Sequence, residues 1–307
     1  MSVYWRKLGL LYCLPNAGLH QKLRSHAANP LPIHINGDIY RIFFCSRDEK
    51  NRSSIGGADI NIVTREVVRQ YEQPFFEHGA EGSFYADGVS IGNCYLVDGI
   101  RYLFFMGWQT PKDGHFRGDI GRIIVNTDLT LTLDCSWPVM GVNSIDPISL
   151  SYPWVVGNSV DGYHMWYGST LTWNAGNEEM LHVLHHASSS DGQAWHRRGQ
   201  AVPHQLGVAQ AFSRPTVARD ATGGWQMWFS YRGGPGTKYR IGYAISTDAK
   251  VWRLALSDVG IDVSLAGWDS EMIEYPFVFD HKDQRYMLYN GNKYGKSGFG
   301  LAVLSRE

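Results

Sequence analysis

The chain has 307 residues, of which 44% are hydrophobic and 19% charged, with a formal net charge of −1. This length gives a sizeable core in one large β domain or two ordinary ones, and the balance excludes a disordered chain. Near-neutral charge speaks against nucleic-acid or membrane-surface partners, and no apolar run approaches the ~18 residues of a spanning helix.

The first segment, "YWRKLGLLYCL" (4–14), reads as a β-strand. Its apolar stretch is short and no small-residue cleavage motif follows, so it is not read as a secretory leader, and the expected location is the cytoplasm. Five segments of one build then follow: "NPLPIHINGDIYRIFFCSRD" (29–48), "DGVSIGNCYLVDGIRYLFFMGW" (87–108), "YPWVVGNSVDGYHMWYGST" (152–170), "RPTVARDATGGWQMWFSYRG" (214–233) and "YPFVFDHKDQRYMLYNGN" (275–292). Each opens on Pro, or on Gly in the second, and runs through an extended apolar stretch and a turn into a strand rich in aromatics. The starts at Pro30, Gly88, Pro153, Pro215 and Pro276 are spaced by 58, 65, 62 and 61 residues. Such a period marks repeated supersecondary units.

A third strand follows in each unit, at 58–64, 118–127, 181–190, 240–247 and 298–305. In units three and four a turn and a tryptophan come next, with Asp191 and Trp195 matching Asp248 and Trp252 in spacing, and a fourth strand is expected there. Residues 64–76 suit either a helix or a strand with a connection. The predicted architecture is all-β: a five-bladed β-propeller, a single domain over 1–307, its ring closed by the N-terminal strand in the last unit. Cys13, Cys45, Cys94 and Cys135 show no paired spacing and are expected to be buried free thiols. Most tryptophans belong to the core; Trp108, Trp154, Trp166, Trp173 and Trp268 are candidate stacking platforms.

In a propeller the first strand of each blade lines the channel, so residues just before and at each start converge at one mouth. These include Asn29, Asp87, Tyr152, Arg214, Glu274 and Tyr275. Two carboxylates with an arginine between them form a chemical set. A carboxylate beside Arg214 stays ionised, whereas one among apolar and aromatic neighbours such as Tyr275 has its pKa raised and donates a proton. Such a pair suits glycosidic bond cleavage. Arg47 and Asp48 open a polar loop at the level of Trp108 and are candidate substrate contacts. Glu271 rivals Glu274 for the acid role. Asp146 in "NSIDPISLSYPW" is expected in a turn. His185 and His186 lie on one strand and lack zinc-ligand spacing, so no metal site is expected.

The "Pro, apolar strand, D-G turn, Y-x-(M/L)-(W/Y/F)-Y" build and the "A-x-S-x-D-G-x-x-W" signature resemble the five-bladed propeller glycoside hydrolases of the family 43 and family 32 groups over the whole chain. The resemblance implies an Asp at the first blade, a second Asp and a Glu in an E-G-P-like motif. Glu274-Tyr275-Pro276 matches the last of these, Asp87 matches a blade-start acid, and "IDP" at 145–147 resembles another acid motif. The first-blade Asp-Pro is Asn29-Pro30 here, and an amide serves as neither base nor nucleophile. The expected activity is a glycoside hydrolase with catalytic Glu274 (acid), Asp87 (base or nucleophile) and Arg214 (modulator), and with substrate contacts at Asn29, Arg47, Asp48, Tyr152, Trp108 and Tyr275. The expected partner is a small-molecule or oligosaccharide substrate, with no cofactor beyond room for a structural calcium in the channel. The alternative is a non-hydrolytic sugar or nucleotide-sugar binder, or a propeller of polysaccharide biosynthesis.

Overall fold

The computed structural model describes residues 3–112, 114–220 and 222–306. An N-terminal strand, β1 (Val3–Tyr12), precedes four groups of four. The first is β2 (Ser25–Asn36), β3 (Ile39–Arg47), β4 (Ser53–Asn61) and β5 (Glu66–Gln70). The second is β6 (Gly88–Val97), β7 (Ile100–Gln109), β8 (Arg117–Val125) and β9 (Leu131–Leu133). The third is β10 (Ser149–Asn158), β11 (Gly162–Thr172), β12 (Leu181–Ser189) and β13 (His196–Gln200). The fourth is β14 (Ala211–Arg219), β15 (Trp225–Arg232), β16 (Arg240–Ser246) and β17 (Arg253–Leu254). The chain ends in β18 (Glu274–His281), β19 (Gln284–Asn290) and β20 (Phe299–Arg306). The ambiguous 64–76 segment is a strand with a connection.

These strands form three hydrogen-bonded sheets. In the four-stranded sheet, β1 lies antiparallel to β20, from Tyr4 opposite Ser305 to Tyr12 opposite Phe299. Each eight-stranded sheet is two antiparallel meanders joined through one parallel pair, Ser53 with Gly88 or His182 with Ala211. The opening strands of the units pack side by side: β2 with β6, β6 with β10, β10 with β14, β14 with β18, and β18 back to β2. Side chains stitch the last unit to the first. The Asn290 amide accepts from Asn29 N at 2.9 Å and donates to Ala27 O at 2.7 Å, and His281 lies 3.0 Å from the Tyr40 hydroxyl.

Stacking of units explains the aromatic second strands. Neighbouring residues on a strand point to opposite faces. Phe43 and Phe44, Phe104 and Phe105, and Trp166 and Tyr167 are all fully buried, so both faces of β3, β7 and β11 are covered. Each such ring adds about 1.5–3 kcal/mol of burial. Turn chemistry sets the connections. Asp98 and Gly99 both take positive φ (50° and 80°), as a two-residue hairpin requires. In the repeated Ser-x-Asp signature, Asp191 Oδ1 accepts from Gln193 N and Ala194 N, and Asp248 Oδ1 accepts from Lys250 N and Val251 N, all at 2.8–2.9 Å. These turns lead the chain into β13 and β17.

The repeat marker in the second unit needs correction. In four opening strands the ladder skips two residues at an X-Pro pair: Asn29-Pro30, Tyr152-Pro153, Arg214-Pro215 and Tyr275-Pro276. In β6 the skip falls between Ile91 and Cys94, at Gly92-Asn93, not at Gly88. The spacings between Pro30, Asn93, Pro153, Pro215 and Pro276 are 63, 60, 62 and 61, tighter than those read with Gly88. Asn93 does by side chain what the prolines do by lacking an N–H. Its amide donates to Val155 O and accepts from Val155 N, both at 2.8 Å, tying β6 to β10. A Cβ on Gly92 would run into the Pro153 carbonyl oxygen.

The four cysteines are free, but of the four expected to be buried Cys45 is buried, Cys94 and Cys135 are half-buried and Cys13 is exposed. Among the described residues, no helix is long and apolar enough to cross a membrane.

Asn93→Ala leaves both Val155 backbone groups unpaired in the interior, and is expected to cost about 2 kcal/mol in denaturant unfolding. An unchanged midpoint would show that the second unit is not pinned there.

Candidate functional site

The skipped pairs share a backbone state. Asn29 (φ 54°), Tyr152 (38°), Arg214 (44°) and Tyr275 (53°) are all left-handed. Asparagine tolerates this conformation; for tyrosine and arginine it costs roughly 1–3 kcal/mol each. The following proline disfavours the right-handed helical alternative and supplies no ladder donor. The outcome is a bulge that turns two successive side chains away from regular alternation. Four such bulges at one level of adjacent strands arrange a set of buried side chains there.

A cavity of about 370 Å³ opens at this level. Its wall includes Tyr152, Tyr275, Ser151 and Ser213 from the bulges, and Arg47, Trp108 and Arg232 from the ends of β3, β7 and β15. His182, Phe212, Tyr239 and Tyr294 complete much of the rest. Aromatic faces and cationic or hydroxyl donors dominate, and no carboxylate lines it among the described residues. Burial raises the phenol pKa values of Tyr152, Tyr239 and Tyr275, so these hydroxyls stay protonated and can donate. His182 is held between Ser151 Oγ and Thr170 Oγ1, at 2.7 Å each, and burial lowers its pKa to about 3. It is neutral at ordinary pH.

Glu274 opens β18 and is wholly buried. Neither carboxylate oxygen has a hydrogen-bond partner among the described residues. Burial drives its pKa well above the ordinary carboxylate range; Arg47 and Arg232 pull the other way without overcoming it. Tyr152 and Tyr239 also lie within its electrostatic reach. Arg47, Arg232, Tyr152, Tyr239 and Tyr275 of the cavity wall therefore lie around an acid whose pKa is pushed up and which itself stays behind the lining. Asp146 provides the contrast. It is equally buried, yet burial is outweighed by bonding that includes His185 (2.8 Å) and Tyr167 (2.9 Å), which holds its pKa low, and Arg197 also donates to it at 2.5 Å. One buried acid is partnered and its pKa is held low; the other has no partner among the described residues and its pKa is pushed up.

Arg214 also behaves differently from the expectation that it flanks a carboxylate. It is 1% exposed and donates to Tyr275 O at 2.7 Å and Pro30 O at 2.6 Å, with its plane near the Phe277 ring. Burial lowers its pKa to about 9, which leaves it charged at neutral pH. It spans three opening strands through backbone carbonyls and touches no acid among the described residues. Asp87 lies five residues before the true bulge of its strand. Its Oδ2 accepts from Thr110 N at 2.6 Å, and it is not part of the cavity wall. The slipped marker is the reason: without a proline in β6, Asp87 matched a position that Ile91 and Gly92 in fact occupy.

Of the predicted substrate contacts, Arg47, Tyr152, Trp108 and Tyr275 line the cavity. Asn29 and Asp48 do not. Asn29 is buried with its Nδ2 unpartnered, and Asp48 accepts from Arg52 N at 2.8 Å and Arg52 Nε at 2.9 Å. Glu271 is exposed, which separates it from Glu274. Among the tryptophan candidates only Trp108 reaches the cavity; Trp154 packs edge-on to Phe277 at 4.9 Å inside the core. Among the described residues no group of three or more His, Cys, Asp or Glu is arranged to hold a metal.

Arg232, Tyr239 and His182 were not anticipated. Arg232 had a signal. It pairs with the first residue of β14 (Ala211), as Trp108 pairs with the first residue of β6 and Arg47 with that of β2.

Compared with solved structures, the chain has the fold of the propeller-type glycoside hydrolases. A glycosyl hydrolase from Bacteroides ovatus superposes with a TM-score of 0.70 at 10% identity, covering 98% of this chain and 93% of the other. A thermostable family-43 glycoside hydrolase gives 0.66 at 14% identity, covering 92% and 88%. A structure from the GH130 family of mannoside phosphorylases, described as containing glycoside hydrolases that target β-1,2 mannosidic linkages in Candida mannan, gives 0.71 at 12%, covering 99% and 94%. No protein-family model matches the chain. It belongs to one family with the uncharacterized proteins MT1551 and Rv1502 of Mycobacterium tuberculosis, strains CDC 1551 / Oshkosh and ATCC 25618 / H37Rv. It is 43% identical to each over 302 residues, which is 98% of this chain and 99% of either relative.

The two buried titrations bracket stability. Glu274 binds its proton more tightly folded than unfolded, so above the ordinary value of 4.5 the folded state holds the extra proton and stability falls as pH rises. His182 binds its proton less tightly folded, so stability falls as pH drops from 6.5 toward 3. Glu274→Gln is expected to raise Tm at pH 8 and flatten the alkaline decline while leaving the acid limb intact. An unchanged alkaline limb would mean that Glu274 is ionised.

Proposed function

We propose that the chain is a carbohydrate-active enzyme that cleaves or transfers at a glycosidic bond, with the sugar in the cavity and Glu274 as proton donor. In this reading the sheets are the five blades of one closed propeller domain spanning 1–307, and the cavity is its mouth. The pairing of β1 with β20 and the cyclic packing of the opening strands support that arrangement. The observation that carries the function is Glu274 itself: a buried carboxyl with no partner on either oxygen, behind an aromatic wall. A carboxylic acid kept neutral near pH 7 can protonate a leaving oxygen, the demanding half of glycosidic cleavage. The bulges at Tyr152 and Tyr275 supply phenol faces and hydroxyls suited to a sugar ring.

Asp87 is given no part in the chemistry, because its carboxylate is taken up by the Thr110 N–H, whereas both oxygens of Glu274 lack a partner among the described residues. Arg214 is given a structural part: it ties three strands under the cavity and does not clamp substrate. One observation favours a second reading, a sugar or nucleotide-sugar binder without turnover. The wall holds no carboxylate among the described residues, so a water has no evident base there.

A panel of aryl glycosides separates the readings. In the enzyme, Glu274→Gln is expected to lower kcat by roughly 10²–10⁴-fold, with sugar binding retained and Asp87→Asn close to wild type. Full activity of Glu274→Gln would remove it as the acid. Absence of wild-type turnover together with sugar-induced thermal stabilisation would select the binder.

A further inference from the structure

We infer that the cavity is built for a sugar bearing an oxyanion, a phosphate or carboxylate seated between Arg47 and Arg232. The inference rests on the reading of the cavity as a sugar site and names its substrate class. Both guanidinium groups belong to the wall, and no acid does among the described residues. Among the described residues Arg47 makes one side-chain bond, donating to Asn51 Oδ1 at 2.8 Å, and forms no ion pair. Arg232 pairs with Glu179 at 2.8 Å through one terminal nitrogen, and its buried Nε has no partner among the described residues. Ser213, on the same wall, keeps a buried hydroxyl without a partner. Two cations thus face the cavity against one carboxylate, with unsatisfied donors beside them.

A buried donor without an acceptor is costly, and guanidinium groups match planar or tetrahedral oxyanions with paired donors. A neutral sugar would leave the excess charge uncompensated; an oxyanion would satisfy charge and donors together. It would also act on Glu274, since Arg47 and Arg232 are the groups that favour its ionised form. An anion between them cancels that pull and keeps the acid protonated when substrate is bound.

Titration calorimetry with glucose 1-phosphate, glucuronic acid, inorganic phosphate and glucose tests this on the full chain. The anionic sugars are expected to bind at least about 10-fold tighter than glucose, and Arg47→Gln to remove that advantage, with Arg47→Lys keeping part of it. Inorganic phosphate binding as tightly as the sugar phosphate, and equally sensitive to Arg47→Gln, would support the seat and assign the anion to a free source. Glucose binding as well as its anionic counterparts, or anion affinity unchanged in a folded Arg47→Gln protein, would overturn the inference. Glu274→Gln keeps the two assignments separate. If it binds anions normally and loses turnover, both stand; if it turns over normally while Arg47→Gln loses anion binding, the seat stands and the acid assignment falls.

Discussion

The structure depends on one backbone constraint, the left-handed residue that precedes a proline in the opening strands. Proline withholds the ladder donor and bars its neighbour from the right-handed helical region. The neighbour takes positive φ, and the strand bulges at the same level each time. The strain at Tyr152, Arg214 and Tyr275 is stored where the opening strands meet, a place where such strain usually serves function. Interlocking contacts hold it there. Arg214 reaches the carbonyls of Tyr275 and Pro30, Thr216 Oγ1 donates to Pro276 O at 2.8 Å, and Ser230 Oγ accepts from Tyr275 N at 2.7 Å.

From that geometry follows an uneven treatment of charge. Asp146 is buried with a histidine, an arginine and a tyrosine, and remains ionised as part of the framework. Glu274 is buried at a bulge with no hydrogen-bond partner among the described residues. An acid in that state is destabilising unless its proton is retained. Keeping such a group beside a solvent-connected cavity gains the fold nothing, and this makes it the centre of the functional account.

Much of this was legible in the sequence. The proline period located four of the five bulges, the Ser-x-Asp turns located the fourth strands of two units, and an acid before a buried strand singled out Glu274. The second unit misled because Gly92-Asn93 achieves by side-chain bonding what Pro achieves by omission, and Gly88 stood near the expected spacing. Asp87 entered the candidate set through that slip. Arg214 was expected at a strand start beside a carboxylate; it meets the backbone carbonyls of Tyr275 and Pro30 instead, which no sequence pattern reveals. His182 and Tyr239 come from a third strand and a connection, where no periodicity ranks one position over another.

The protonation of Glu274 can be observed directly. An infrared difference spectrum between the wild-type protein and Glu274→Gln at pH 7 should show a protonated carboxylic-acid carbonyl band that is present in the wild type and absent from the variant. A difference spectrum containing only carboxylate bands would show Glu274 ionised, and would contradict the account of a neutral acid held behind the cavity.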